Sequence, residues 1–211
     1  MRINRRQWLL YIYLLCSIFY FISLYIEIHC LFTDSFYSQA YGGAEADIQN
    51  LLLKVHKTNW LNFVIAPFYV FILSLAFAFG LYFFLTIANH KVKIIDCLFV
   101  GSVGQLVFAI NYLVIVILKL CGVIEFNIDT ANDVFYSQSI AAILGTLPKW
   151  SVFACERVSV IEVIYIIITS CTVSRVFKIN FFKSIGIILL MELFVVLLVS
   201  TILICHYLVL L

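Results

Sequence analysis

The chain has 211 residues, 65% of them hydrophobic and 11% charged, with mean hydropathy +1.14 and a formal net charge of +2. Soluble domains carry roughly 45–50% apolar and about 25% charged residues, so this composition excludes an ordinary soluble domain and calls for a bilayer. No basic patch with interleaved aromatics is present, which argues against nucleic acid as a partner. No proline-rich or low-complexity linker and no repeat of fixed period divides the chain, so residues 1–211 read as a single transmembrane domain.

In chain order, the first apolar run covers residues 8–26 behind Arg2, Arg5 and Arg6. It is too long for the h-region of a signal peptide, and no small-x-small site follows it. It therefore reads as an uncleaved first span, with Trp8 and Tyr11 at the interface. After Gly42-Gly43, residues 44–56 predict a short amphipathic helix with Ile48, Leu51, Leu52 and Val55 as its apolar stripe. A second span follows at 60–88. Thr58 or Asn59 is its natural N-cap, and a kink is expected at Pro67.

The third span, 94–121, differs from the others. Gly101, Gly104, Gln105, Phe108 and Asn111 fall on one helical face. A lipid-facing helix would not choose these residues, so the face is expected to turn inward. Lys119 is expected to snorkel at its far end. Residues 134–147 then form a helix candidate too short to span, either re-entrant or interfacial, ended by Gly145 and Pro148. Ser159-Val160-Ile161-Glu162 matches a capping box opening a fourth span at 158–173. A basic return loop, 174–183, leads to a fifth span at 184–207. The predicted fold is thus all-α and polytopic, with five transmembrane helices and a short interfacial or re-entrant helix.

Five spans put the termini on opposite sides. Arg2, Arg5, Arg6, Lys91, Lys93, Arg175, Lys178 and Lys183 fall on one side, where the connecting loops hold no carboxylate. The other side mixes cations with most of the acidic residues. The positive-inside rule makes the N-terminus cytoplasmic and the C-terminus external.

An ionisable residue within a span is costly and marks a candidate site. Glu192 is the leading one. It reads either as a proton or cation site or as a neutral, hydrogen-bonded acid joining two helices, with Gln105 or Asn111 as its partner. Glu162 is accounted for by the capping box. Asp96 is expected to pair with Lys91 or Lys93, and His206 reads as interfacial. Gly101, Gly104, Gln105 and Asn111 suit close helix packing with amide hydrogen bonds, and a transport pathway would use the same residues. Weighed together, the stripe is expected to be the seam where the third span meets the fifth.

Cys30, Cys121 and Cys155 fall on the external side, where a disulfide is chemically permitted. There is no Walker A, HExxH, GxSxG or GxGxxG motif and no metal-ligand spacing of histidines. No catalytic residue, metal or cofactor is expected, and the chain does not read as an enzyme.

Gly101-Ser102-Val103-Gly104-Gln105, the short segment ending in Leu-Gly-Thr-Leu-Pro, and the capped helix, basic loop and long final helix resemble, over roughly residues 60–205, the Yip1-like family of five-span membrane proteins. The resemblance implies a compact five-helix fold and a role in membrane organisation, secretion or trafficking. The Ile-, Phe- and Asn-rich composition looks like that of proteins from AT-rich bacteria, which implies the inner membrane.

Three functions are compatible with this reading. The first is a non-catalytic accessory or scaffold subunit of a larger membrane complex. The second is a small transporter or channel built around an intramembrane carboxylate. The third is a lipid-binding or lipid-modifying protein using the acidic outer loops and the short segment. The expected partners are other integral membrane proteins and lipids.

Overall fold

The computed structural model describes residues 5–41, 45–126, 138–144, 155 and 158–209, and describes them as helices joined by turns. In order these are α1 (Arg5–Ile26), continued by a π-helical turn (Glu27–Leu31), α2 (Asp34–Tyr41), α3 (Glu45–Ile87), α4 (Ile94–Leu120), α5 (Ile140–Leu144), α6 (Val160–Phe177) and α7 (Phe181–Val209). Among the described residues the one departure from helix pairing is an isolated antiparallel bridge between Ser139 and Ser159. Among the described residues, five helical stretches are long and apolar enough to cross a membrane: Arg5–Leu31, Lys57–Ile87, Ile94–Leu120, Val160–Phe177 and Phe181–Ile202.

The most central of them is α4, which packs against α1, α3 and α6, while α7 packs against α6 and α3. The reason lies in side-chain size. Small residues on α4 admit its neighbours closely, and its buried set mixes Val100, Val107 and Ile115 with Gly101, Gly104 and Ala109. Three apolar clusters result. Ala78, Leu81 and Leu85 of α3 meet Val100 of α4 and Ile188 and Met191 of α7. Cys16, Val70 and Ala109 join α1, α3 and α4. Val107, Ile161 and Tyr165 join α4 to α6. The outward faces, such as Phe68, Ile72 and Phe83 on α3 and Leu190 and Leu197 on α7, are apolar and exposed, as a lipid-facing surface should be.

Several sequence expectations are corrected. The predicted helices 44–56 and 60–88 are one unbroken helix of 43 residues, α3. Thr58 and Asn59 do not cap it, because the residues on either side favour helix and nothing there stops its propagation. The helix also runs through Pro67, whose carbonyl oxygen accepts a 2.7 Å hydrogen bond from the Tyr13 hydroxyl of α1. The side chains of the predicted stripe at Ile48, Leu51, Leu52 and Val55, and that of His206, lie outside the described residues. Half of the 134–147 candidate does so too, and its described part, 138–144, holds the bridged Ser139 and the short α5.

The fourth span extends beyond 173 to Phe177. It ends where Lys178 adopts a left-handed conformation, φ 55°, and its N–H returns to the Ser174 carbonyl. The return turn is therefore only Lys178–Asn180. Asn180 then opens α7, with its side-chain oxygen accepting from the Phe182 N–H at 2.9 Å. Asp96 pairs with Arg5 at 2.5 Å, not with Lys91 or Lys93, because α1 and α4 start at the same end of the bundle. Lys119 does not snorkel: it is 4% exposed, with its ammonium 5.7 Å from the Phe126 ring centroid. Cys30, Cys121 and Cys155 are all free thiols.

Candidate functional site

The site grows from Tyr165 on α6. Its ring fills the notch left by the missing side chain of Gly104, where a Cβ would come within 2.7 Å of the ring. Phe108 of α4 packs on it at 4.7 Å between centroids, and Phe77 of α3 meets it edge-on at 6.1 Å. Held by three helices, the ring aims its hydroxyl at α7 and donates a 2.9 Å hydrogen bond to Glu192 Oε1. Glu192 stands eleven residues into α7, ~17 Å along its axis at about 1.5 Å per residue.

Beside that bond lies a cleft of about 360 Å³ between α6 and α7. Its walls are apolar, with Val163 and Ile166 on one side and Leu189 and Leu193 on the other. Two carboxylates share it, Glu192 and Glu162. Glu162 is 5% exposed. Its position follows from the capping predicted at the start of α6: Ser159 is extended at φ −130° and its Oγ accepts from the Glu162 N–H at 3.3 Å. The cap fixes the backbone of this first turn, and the Glu162 side chain projects into the cleft.

The residues singled out from sequence are not brought together. Gly101 faces α3, where a Cβ would meet the Ser74 carbonyl oxygen at 2.8 Å. Gly104 faces Tyr165 and Thr169 of α6. Asn111 accepts a 3.0 Å hydrogen bond from the Gln138 amide, two residues before α5. Gln105 is buried, with its Oε1 unpaired among the described residues. Glu192 meets Tyr165, not Gln105 or Asn111. The expected seam between the third and fifth spans is instead two seams, α4 with α3 and α4 with α6, and Tyr165 relays contact onward to α7.

A second polar group escaped the sequence reading. Tyr112 of α4 donates to Glu27, the first residue of the π-helical turn, and Lys119 lies close enough to attract the same carboxylate. Glu27 opens the π-helical turn that continues α1, and this turn packs against α4. In comparison with known proteins, no family model, no curated protein and no solved structure matches the chain.

Proposed function

We propose that the protein is a non-catalytic accessory or scaffold subunit of a membrane complex, docking a partner's transmembrane helix along the α6–α7 cleft. The observation that carries this reading is the pairing of Glu162 and Glu192 within apolar walls at the edge of the bundle. Tyr165 already donates to Glu192 from within the chain, but an ionisable side chain deep in a span still costs on the order of 3 kcal/mol. Acyl chains bring no further donor to this cleft, whereas a partner helix bearing Lys, Arg, Ser or Thr at the depth of Glu192 would add one. The internal face of α4 supports the same reading, because α3 and α6 pack directly on Gly101 and Gly104. We place the N-terminus in the cytoplasm from the cation bias, and the chain in a bacterial inner membrane from its composition. The Yip1-like resemblance is compatible with this role.

A photo-crosslinking residue at Leu193, in the cleft, should yield one stoichiometric adduct with an integral membrane protein in native membranes. Glu192→Gln should reduce it several-fold, and the same crosslinker at Phe182 should not give it. A monodisperse monomer in mild detergent with no adduct from Leu193 would refute the role.

The same pair of carboxylates supports a second reading, a small cation- or proton-coupled transporter. Flux in proteoliposomes that is lost in Glu192→Gln would favour it over docking, and unchanged flux would remove it.

A further inference from the structure

A second cavity, of about 450 Å³, opens among α1, α3 and α4, apart from the carboxylate cleft. Its walls are apolar, with Leu10 of α1, Phe71 of α3 and Leu98 of α4. Arg6 lines it at the start of α1, and Ser74 and Ser102 line it deeper along the helices. Two features mark it as a built slot and not a packing fault. Ser74 is 2% exposed, and its hydroxyl has no hydrogen-bond partner among the described residues, a state that native interiors seldom tolerate. Arg6 has no ion pair among the described residues, because the one carboxylate at that end, Asp96, is taken by its neighbour Arg5.

The surrounding charge narrows the occupant. Arg5, Arg6, Lys91, Lys93, Arg175, Lys178 and Lys183 belong to the ends and turns on this side of the bundle, against Asp96 alone among the described acidic residues. A ligand here needs a negative group for Arg6, a polar linkage within reach of hydroxyls, and a hydrocarbon tail for the walls. Anionic glycerophospholipid supplies all three, and basic pockets between transmembrane helices hold such headgroups. We infer that this slot binds one anionic phospholipid, with its phosphate on Arg6, an acyl chain between α1 and α3, and the ester oxygens facing Ser74 and Ser102.

This inference does not depend on the docking role of the α6–α7 cleft, and its test leaves that cleft untouched. The full chain, purified in mild detergent, is titrated with dioleoyl phosphatidylglycerol or dioleoyl phosphatidylcholine and bound lipid is counted by native mass spectrometry. Phosphatidylglycerol should bind with clear preference at one site per chain. Removing one cationic contact should weaken it about fivefold, so Arg6→Gln should lower its affinity by that factor while Arg6→Lys retains most of it. Ser74→Leu, which fills the slot, should abolish the site for both lipids. Arg6 is exposed at a helix end, so Arg6→Gln tests the inference even if Ser74→Leu fails to fold. Equal binding of the two lipids, or an Arg6→Gln protein with unchanged affinity, would overturn it.

Discussion

The inner face of α4 and the cleft between α6 and α7 are both polar stretches at membrane depth, yet they differ in what their polar groups meet. On α4 the polar face is packed inside the protein, with Gln105 Oε1 and Asn111 Nδ2 left unpaired among the described residues. Gly101 and Gly104 hold no side chain because α3 and Tyr165 occupy the space, and Asn111 is covered by Gln138. In the cleft, Glu162 and Glu192 line a cavity bounded, among the described residues, by α6 with Val158 and Ser159 before it and by α7. A polar residue within a span is therefore not in itself a sign of function. What separates a packing seam from a site is whether the protein's own neighbours close over it.

The largest effect expected from disturbing this contrast is at Gly101. A Cβ there would press on the Ser74 backbone at 2.8 Å, and backbone cannot swing aside as a side chain can. Gly101→Val should destabilise the protein by about 3 kcal/mol or more, seen as a lost thermal transition in detergent. Gly186→Ala, where nothing lies within 4 Å of the added carbon, should be neutral or slightly stabilising in the same measurement.

Next comes the hinge of the comparison, Tyr165. Tyr165→Phe keeps the ring in its notch and deletes only the donor to Glu192, which should cost about 1 kcal/mol of stability. If the cleft docks a partner, the substitution should also alter the yield of the Leu193 crosslink, because Glu192 loses its orientation. Ser159→Ala removes the cap that sets the first turn of α6 and should cost about 1 kcal/mol, read as faster hydrogen exchange confined to residues 160–163. The smallest effect is expected at the rim. Arg5→Gln breaks the pair with Asp96, whose two side chains are 46% and 15% exposed. Such a pair is worth about 1 kcal/mol at most, and its loss should vanish into the background at high salt.

The five spans were legible because runs of apolar residues longer than the bilayer needs are hard to disguise, and α4 coincides with its predicted bounds to within one residue. The cap at Ser159 was legible too, since its signal is local. What failed was of two kinds. The ends of helices were misread where capping residues stood within sequence that favours helix, as at Thr58 and Asn59, or where the last turn was polar, as at Ser174 and Arg175. Partners between spans were misread because periodicity assigns a residue to a face without saying what lies opposite. Spacing matches Glu192 to the amides of α4, yet the donor is the Tyr165 hydroxyl of α6. The bond from Tyr112 to Glu27 joins residues 85 apart, a separation over which local periodicity carries no signal.

The unbroken length of α3 has a mechanical consequence. From Glu45 to the start of its apolar span at Lys57 the helix continues for ~18 Å at about 1.5 Å per residue. One helix carries both parts, and Pro67, which cannot donate to the helical ladder, stands between this arm and Ser74. A tilt of this arm by about 10° about Lys57 would sweep its tip through ~3 Å, and Pro67 is where the helix can take up such a tilt before it reaches Ser74 and Phe77.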